Sequence, residues 1–338
     1  MTAPVRVGVI GLGEVGQHHV KGLMNAKNAV IGAVADISEA IRAKTAAAAG
    51  ARAYASDAEL LEDGDIDAVV ICVPHKFHAG IALRALAKGK HVLVEKPMAV
   101  SVAECDAMIA AAKDADRLLG VSHNQLFYPA HEWLRQKIET KAIERPGIVR
   151  LRLAIGGKLG GWRADPDLTG GGLLFDAGFH RFYVARSLMG EVASVTATLD
   201  TNDPRGVGED RAVVTMAFRD GGQAVIEAGY HAPKGAFDDQ IEVVSPSAMI
   251  RVPGIEAHFE KFTAEPDLLV WTDGKWNSVE VESIDWSITV GRAVQNFVNA
   301  VQGIEPLRVD GEDGRQIVEL VEATYRSAVE GRRVELTT

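Results

Sequence analysis

The sequence predicts a two-domain protein: an α/β domain with a doubly wound parallel sheet, then an α+β domain with a large, open, mainly antiparallel sheet. The first part of the chain alternates short β-branched apolar runs with alanine-rich helical stretches, which is typical of repeated βαβ units. From about Pro146 the pattern changes to apolar runs joined by turn signals, as in hairpins. A length of 338 residues suits two domains, and we place them at residues 1–122 and 123–338.

The apolar runs of the first domain are nearly continuous, which predicts strands covered by helices on both faces. We predict these strands at Val5 to Ile10, Ala29 to Asp36, Ala68 to Val73, His91 to Glu95 and Arg117 to Val121. The predicted strands of the second domain include Val192 to Leu199, Ala212 to Phe218, Gln223 to Tyr230 and Ile241 to Val244. Two helices, Trp286 to Gln302 and Gly311 to Glu330, end the sequence, and the second is a candidate to pack back on the first domain.

Composition excludes several classes of protein. The net charge of −10 argues against a nucleic-acid partner, which needs clustered Lys and Arg. Cys72 and Cys105 are the only cysteines, so we expect no disulfide framework. No apolar run approaches the ~18 residues that cross a bilayer, and Met1 leads to the Val5 strand without a secretory signal. We therefore expect a cytoplasmic protein with no membrane role.

A glycine motif follows the first predicted strand directly and opens a predicted helix. In this context GxGxxG binds the pyrophosphate of a dinucleotide. Gly11 permits the tight turn, Gly13 lets the backbone approach the pyrophosphate, and Gly16 lets helix and strand pack closely. The motif predicts a Rossmann domain whose cofactor contacts include Gly11, Gly13, Glu14, Val15 and Gly16.

The second predicted strand ends at Asp36, 20 residues after Gly16. An acid at this place can accept hydrogen bonds from the adenosine ribose hydroxyls. It would also repel a 2′-phosphate, so NAD is favoured over NADP. NADP stays possible because Ser38 and Arg42 lie close by in the sequence.

The predicted strand that ends at Val73 is followed by a turn. This turn begins at Pro74 and contains His75 and His78. Ligands of a doubly wound sheet lie beyond the carboxyl ends of its strands, so we expect this turn at the cofactor. Two histidines three residues apart also suggest a metal pair, but no third ligand with clear spacing accompanies them. We therefore predict helix capping or cofactor contact, and no metal.

Two further segments carry groups suited to acid–base chemistry. The strand ending at Glu95 is followed by Lys96 and Pro97, which places a lysine at the carboxyl edge of the sheet, although such a lysine can also be a solvated charge. The triple glycine 170–172 opens a predicted helix in which Asp176 and His180 share one face at i and i+4. A histidine suits general acid–base work and a carboxylate one turn away can orient it or bind substrate, although an isolated pair of this kind is by default structural.

Taken together, these motifs resemble the Gfo/Idh/MocA family, the relatives of glucose-fructose oxidoreductase and inositol dehydrogenase. The resemblance covers nearly the whole chain. It depends on the glycine motif, the turn 74–78, Glu95-Lys96-Pro97, the stretch 170–180 and the closing Asp310-Gly311-Glu312-Asp313-Gly314. The sequence departs from the family by His75, where Asn is common, and by Tyr183, where Asp is frequent.

The resemblance implies the roles of the site residues. Lys96 corresponds to the family's catalytic lysine, Asp176 to its substrate-binding carboxylate and His180 to its general acid–base, with hydride passing to nicotinamide C4. The histidine would accept the hydroxyl proton while the lysine stabilises the developing alkoxide. It further implies a cis peptide bond before Pro97 and places Glu95 with the cofactor.

Four other residues are candidates for the same site. Asn124, placed with the cofactor, and Gln125, placed with the substrate, follow the last strand of the first domain. Trp162 and Arg163 precede the triple glycine and join Lys96, Asp176 and His180 as substrate ligands. A polar group beside an aromatic face suits a sugar or a cyclic polyol, but Trp162 can equally cover a core edge.

We therefore expect an NAD-dependent dehydrogenase or reductase that acts on a secondary hydroxyl or ketone of a sugar, sugar derivative or cyclitol. Two alternatives stay open: redox-neutral elimination or epimerisation with a recycled, tightly bound NAD, and a non-catalytic NAD-binding sensor. The resemblance implies a homodimer or homotetramer through the second-domain sheet, and we expect no nucleic-acid partner.

Overall fold

The computed structural model describes residues 3–157, 160–202, 208–252, 268–282 and 284–336. The chain forms two compact units. One comprises residues 1–124 and 287–318, and the other comprises residues 125–286 and 319–338.

The first unit contains a parallel sheet with the strand order β3-β2-β1-β4-β5-β6. The chain leaves β1 toward β2 on one side and later continues from β4 on the other, so the topological switch point lies between β1 and β4. In such sheets ligands bind beyond the carboxyl ends of the strands at this point. The strands are β1 (Val5–Ile10), β2 (Ala29–Ala35), β3 (Arg52–Tyr54), β4 (Ala68–Ile71), β5 (His91–Glu95) and β6 (Leu119–Ser122).

The second unit contains a mixed sheet, ordered β15-β14-β13-β12-β7-β10-β9-β8-β16, with β11 beside β7. Neighbouring strands of this sheet run antiparallel, except for β7 and β10, which run parallel to each other. The strands are β7 (Ile148–Ile155), β8 (Val192–Asp200), β9 (Arg211–Phe218), β10 (Gln223–Gly229), β11 (Phe237–Asp238), β12 (Ile241–Val244), β13 (Met249–Val252), β14 (Leu268–Thr272), β15 (Lys275–Val279) and β16 (Val334–Glu335). The predicted fold class is confirmed.

Helices accompany both sheets. The helices are α1 (Glu14–Asn25), α2 (Glu39–Ala49), α3 (Asp57–Leu61), α4 (His78–Ala87), α5 (Val102–Ala115), α6 (Pro129–Glu139), α7 (Pro166–Thr169), α8 (Phe179–Met189), α9 (Trp286–Val301) and α10 (Gly311–Glu330). Serine side chains accept hydrogen bonds from the first turns of α2, α3 and α5, as the preference for Ser at the N-cap leads one to expect.

The core of the first unit explains why its strands are apolar throughout. Val7 and Val9 of β1 have no exposed surface and pack with residues of β2, β4 and β5. Val294 and Phe297 of α9 join the same core. The second-unit sheet instead alternates, with Leu151 of β7 buried between exposed neighbours. One face of that sheet therefore carries a core and the other is open.

Strand ends match the predicted limits or differ from them by one or two residues. β2 ends before Asp36 and β4 ends before Cys72 and Val73. Backbone hydrogen bonds connect these ends to the end of β1 and the loop after it. The Gly11 N–H donates to the Ala35 carbonyl, and the Cys72 N–H donates to the Ile10 carbonyl. The ladder stops because the next residues bend away from their neighbours.

Candidate active site

The loop after β1 has the features that a pyrophosphate-binding turn needs. Gly11 has a φ of +89°, which glycine adopts without strain. A Cβ on Gly16 would lie 2.1 Å from the Gly11 carbonyl oxygen, so only glycine lets α1 start this close to β1. Gly13 is exposed at the N-terminus of α1, and a Cβ there would meet nothing within 4 Å. Open backbone at a helix N-terminus fits a dinucleotide pyrophosphate.

The next two residues of this motif begin α1. Glu14 is exposed and Val15 is half-buried in the first turn of the helix. Both follow the open backbone of Gly13 in the chain, and their contact with the cofactor stays a prediction.

Asp36 follows β2 and accepts a hydrogen bond from the glycine loop. Its Oδ2 accepts the Leu12 N–H at 2.7 Å and its Oδ1 accepts the Ser38 N–H at 2.8 Å. Each carboxylate oxygen has a second lone pair with which to accept a ribose hydroxyl. Arg42 donates from Nη1 to the carbonyl oxygens of Asp36 and Ile37, each at 3.3 Å. A guanidinium therefore lies beside the backbone of the acid that we predict to favour NAD over NADP.

Ile37 is a candidate site residue that the sequence pattern does not reveal. Its side chain is 96% exposed directly after Asp36. An exposed apolar side chain beside the acid predicted to bind the ribose offers a surface for a flat apolar ring such as adenine. The only signal in the sequence is an isoleucine outside any periodic apolar pattern.

The turn after β4 is held by His78. Its Nε2 lies 2.8 Å from the Val73 carbonyl oxygen and its Nδ1 lies 2.8 Å from the Pro97 carbonyl oxygen. Burial lowers the pKa of His78, although both carbonyl groups favour the charged form. The buried His75 ring lies 5.6 Å from the His78 ring, centroid to centroid. His78 thus connects the Pro74 turn to the segment after β5, and both of its ring nitrogens contact backbone carbonyl groups.

β5 presents the predicted catalytic lysine at the expected edge of the sheet. The strand ends at Glu95, and the Lys96–Pro97 peptide bond is cis, as the family resemblance implies. Glu95 Oε2 accepts the Lys96 N–H at 3.1 Å. Since only β4 lies between the parallel strands β1 and β5, Lys96 and the glycine loop leave the same carboxyl edge about 10 Å apart.

Asn124, predicted at the cofactor, is buried in the first unit. Its Nδ2 donates to the hydroxyl oxygen of Thr289 in α9 at 2.8 Å. The amide thus connects the end of the Rossmann strands to α9, and its contact with the cofactor stays a prediction.

In the second unit the triple glycine does not open a helix, so the predicted helical face shared by Asp176 and His180 is wrong. Helix α8 begins at Phe179, and Asp176 lies in the turn before it. The N–H groups of Asp176 and Gly178 both donate to the Leu173 carbonyl, at 3.2 and 2.9 Å. His180 is half-buried in the first turn of α8.

Glu209 explains why this segment is a turn. Its Oε2 accepts the Gly172 N–H at 3.1 Å, and its Oε1 accepts the Leu174 N–H at 2.8 Å and the Tyr325 hydroxyl at 2.7 Å. A Cβ on Gly172 would lie 2.4 Å from the Glu209 carbonyl oxygen. Burial raises the pKa of Glu209 although these donors oppose the rise. An isolated acid gives no signal of this role in the sequence.

Three charged or aromatic side chains of the second unit lie around Asp176. Its Oδ1 lies 3.6 Å from Nε of Arg163, whose guanidinium lies 4.8 Å from the Trp162 ring centre. Its Oδ2 accepts the Tyr230 hydroxyl at 3.3 Å. Burial, and then the charge of Asp176, raise the pKa of Tyr230, so the phenol stays a donor. The structure thus brings Trp162, Arg163 and Asp176 together and adds Tyr230, which the sequence pattern does not single out.

Gln125, predicted at the substrate, lies in a buried polar cluster. Its Oε1 accepts from Nη2 of Arg181, and the same guanidinium donates from Nη1 to the Asp239 carbonyl at 2.9 Å. Arg181 has no exposed surface and directly follows His180. The cluster anchors the start of α8, and substrate contact by Gln125 stays a prediction.

The residues that the structure describes contain neither a candidate metal site nor a candidate membrane-spanning helix. No group of three or more His, Cys, Asp or Glu side chains there is arranged to hold a metal ion. Among the helices of the same residues, none combines the length and apolar character needed to span a bilayer.

Comparison with known families covers both units. Residues 5–123 match the family model described as an oxidoreductase family with an NAD-binding Rossmann fold. Residues 135–336 match the model of the C-terminal alpha/beta domain of an oxidoreductase family.

Individual proteins resemble the chain over its whole length. Myo-inositol 2-dehydrogenase of Thermotoga maritima is 28% identical, with 98% of each chain covered. D-xylose 1-dehydrogenase (NADP(+)) 2 of Haloferax volcanii is 30% identical, with 97% of this chain and 99% of the relative covered. Among solved structures, an NAD binding oxidoreductase from Klebsiella pneumoniae has a TM-score of 0.88 at 26% identity, over 99% of this chain and all of that one.

Proposed function

Because the chain belongs to the Gfo/Idh/MocA oxidoreductase family and has its NAD-binding Rossmann domain, we propose that it oxidises a secondary hydroxyl, or reduces the corresponding ketone, of a sugar, sugar derivative or cyclitol. The observation that carries the proposal is the position of Lys96. This lysine follows β5 at the same carboxyl edge at which the glycine loop follows β1. A cationic side chain is therefore available beside the cofactor site.

The residues of the first unit fit NAD. The open backbone at Gly13 would take the pyrophosphate, Asp36 the adenosine ribose hydroxyls and Ile37 a face of the adenine. Bound NAD supplies the oxidant for a C–H bond, since its nicotinamide ring accepts hydride at C4. The Asp36 carboxylate would repel a 2′-phosphate, so NAD is the preferred form.

The protein's own groups handle the proton and the charge of the substrate. We assign His180 as the base that accepts the hydroxyl proton of the alcohol. Lys96 stabilises the negative charge that develops on that oxygen. Asp176, which accepts the Tyr230 hydroxyl and faces Arg163, accepts hydrogen bonds from neighbouring substrate hydroxyls. In the reducing direction His180 returns the proton to the substrate oxygen while Lys96 stabilises the negative charge on that oxygen.

A polyhydroxylated substrate agrees with the polar groups around Asp176. The carboxylate accepts and the Arg163 guanidinium donates, so vicinal hydroxyl groups find both kinds of partner. The relatives named as a myo-inositol dehydrogenase and a D-xylose dehydrogenase support the same class.

The test is the nicotinamide absorbance of the protein with NAD or NADP and a panel of hexoses, pentoses, glycosides and inositols. We expect turnover on at least one panel member, and a fall in kcat of about 10²-fold or more when Lys96→Ala removes the electrostatic group. Lys88→Ala is the matched control, because Lys88 is an exposed lysine of the same unit that pairs with Glu62. Equal activity of the Lys96→Ala variant and the wild type would overturn the assignment.

Two alternatives give different results in this assay. A redox-neutral enzyme would retain NAD through purification and convert a substrate without a net absorbance change. A sensor would bind NAD without turnover of any panel member.

We also propose a homodimer or homotetramer that forms through the open face of the second-unit sheet, in the cytoplasm. The face carries exposed apolar side chains, Ile148, Val213, Val244 and Met249, on strands β7, β9, β12 and β13. Light scattering with Val213→Glu and wild-type protein would test the assembly, and an unchanged mass for the variant would oppose this interface. The reducing compartment is suggested by a sequence with two cysteines and no disulfide framework.

A further inference from the structure

A histidine of the cofactor-binding helix contacts the acid that precedes Lys96. His19 of α1 has no exposed surface, and its Nε2 lies 2.7 Å from Oε1 of Glu95. The Ser122 hydroxyl, at the end of β6, lies 3.4 Å from the same nitrogen. The close approach of α1 at Gly16, one turn earlier, brings His19 within reach of β5.

The two oxygens of Glu95 point to different partners. Oε1 meets His19, whereas Oε2 accepts the backbone N–H of Lys96 at 3.1 Å. Glu95 thus connects α1 to the peptide group of the lysine. Any shift of the carboxylate moves one end of this connection.

The charge of Glu95 is held by the same groups. Burial tends to raise its pKa, but the hydrogen bond and charge of His19, the charge of Lys96 and the Ser122 hydroxyl together hold the pKa below its usual value. Cys72, a thiol near this carboxylate, has a pKa raised by burial and by the charge of Glu95, so it stays neutral. The charge of Glu95 also acts on the buried His78, whose pKa burial lowers.

The contact between His19 and Glu95 is unfavourable in desolvation free energy, so stability alone does not explain it. A half-buried carboxylate with a fully buried imidazole must leave water, and replacing such a pair by apolar residues often leaves stability unchanged or raises it. His19 Nδ1 also has no hydrogen-bond partner among the residues that the structure describes.

We propose that His19 is a positioning residue for Lys96: it fixes the Glu95 carboxylate against the lysine's peptide group and so orients the lysine toward the substrate oxygen. The inference depends on the proposed function of Lys96. It adds a residue of the glycine-motif helix to the machinery of proton and charge handling, separate from the contacts of that helix with the dinucleotide.

The test compares His19→Leu, which removes the bond to Glu95, with His19→Gln, whose amide nitrogen can donate to the same carboxylate. We expect His19→Leu to lower kcat by about 10-fold to 100-fold, since small misplacements of a catalytic group have effects of this size. The substrate KM and the NAD dissociation constant should stay within about twofold of wild type. His19→Gln should recover most of kcat.

The matched control is His91→Leu. His91 lies at the opposite end of β5, where its Nδ1 accepts the Leu118 N–H at 3.0 Å. The His91→Leu substitution removes a histidine hydrogen bond from the same strand, away from Lys96, and should leave kcat unchanged. A loss of kcat in this control equal to that of His19→Leu would overturn the proposal, because the effect would then be general destabilisation.

Other outcomes are equally decisive. An unchanged kcat for His19→Leu, or a weakening of NAD binding that accounts for the whole loss, overturns the positioning role. If His19→Leu does not fold, Glu95→Ala replaces it, since alanine removes both contacts of the carboxylate: a fall in kcat with NAD binding intact supports the proposal and an unchanged kcat overturns it. Lys96→Ala separates the two claims, since an active Lys96→Ala variant removes the proposed function, whereas an inactive one beside a fully active His19→Leu removes only this inference.

Discussion

The Asp36 carboxylate accepts the backbone N–H of Leu12 at 2.7 Å, so the acid that follows β2 also holds the loop that follows β1. The glycine loop and Asp36, the acid proposed to bind the ribose, are therefore one structural unit before any dinucleotide binds. This preorganisation reduces the ordering that cofactor binding must otherwise bring about. It also means that a change at Asp36 affects the loop as well as the choice of cofactor.

Asp36→Ser should shift cofactor preference toward NADP. The substitution removes the negative charge that opposes a 2′-phosphate, while Arg42 lies beside the same backbone. We expect the ratio of kcat/KM for NAD to that for NADP to fall by about 10-fold or more, equal to ~1.4 kcal/mol. Steady-state kinetics with each cofactor measure this ratio.

Asp36→Asn is the control for the hydrogen bonds. Its amide oxygen can still accept the Leu12 N–H while the charge is lost, so a shift in the same direction identifies charge as the cause. An unaltered ratio in both variants would mean that Asp36 does not face the ribose.

Gly13→Ala and Gly16→Ala should separate cofactor binding from folding. A Cβ at Gly13 has free space, so the free energy of unfolding should change little, whereas NAD affinity should fall because the pyrophosphate loses its approach. A Cβ at Gly16 lies 2.1 Å from a backbone oxygen and forces α1 away from β1. Thermal unfolding and NAD titration of both variants test this contrast, and it fails if Gly13→Ala binds NAD as the wild type does.

Local signals made the first unit predictable. The apolar run Val5–Ile10 and the glycine motif after it specify a buried strand and a tight turn with few residues, and the predicted limits of this strand agree with β1. The short strand β3 (Arg52–Tyr54) is not predicted, because an arginine, an alanine and a tyrosine form no apolar run. β3 is held by its pairing with β2, which a single sequence does not display.

The parts that escaped prediction depend on contacts between distant residues. The parallel pairing of β7 with β10 joins segments about 75 residues apart in the sequence. Similarly, the apolar face of α9 predicts a buried helix but does not say that Val294 and Phe297 pack in the core of the first unit. The turn at Asp176 is set by Glu209, so the helical pattern there is overridden by a tertiary contact.

Tyr230→Phe should weaken substrate binding. The phenol donates to Asp176 Oδ2 at 3.3 Å, and its loss leaves the carboxylate free to turn toward Arg163. We expect KM for the polyol to rise about 10-fold, since a hydrogen bond to a charged group contributes ~1.5 kcal/mol, with the NAD dissociation constant unchanged. Tyr54→Phe is the matched control, because Tyr54 donates to Asp63 at 3.1 Å beside β3. An equal rise of KM in both variants would argue against a substrate role of Asp176.

Glu209 should make stability depend on pH. Burial raises its pKa in the folded state, so the folded protein holds this proton more tightly than the unfolded chain does. The free energy of unfolding that Glu209 contributes is therefore largest below its ordinary value of 4.5 and declines as the pH rises through the folded-state pKa. Denaturant unfolding from pH 4 upward should show this decline in the difference between the wild type and Glu209→Gln.

Glu209→Gln should remove the pH-dependent part and lower stability throughout. Both carboxylate oxygens accept hydrogen bonds, so an amide nitrogen in place of either oxygen meets the N–H of Gly172 or the donors on Oε1. A buried donor without an acceptor destabilises by about 1–3 kcal/mol. Glu227→Gln on the exposed face of β10 serves as the control and should follow the wild-type curve. If the difference in unfolding free energy between wild type and Glu209→Gln is constant with pH, Glu209 does not change protonation on folding, and its carboxylate stays ionised among its three donors.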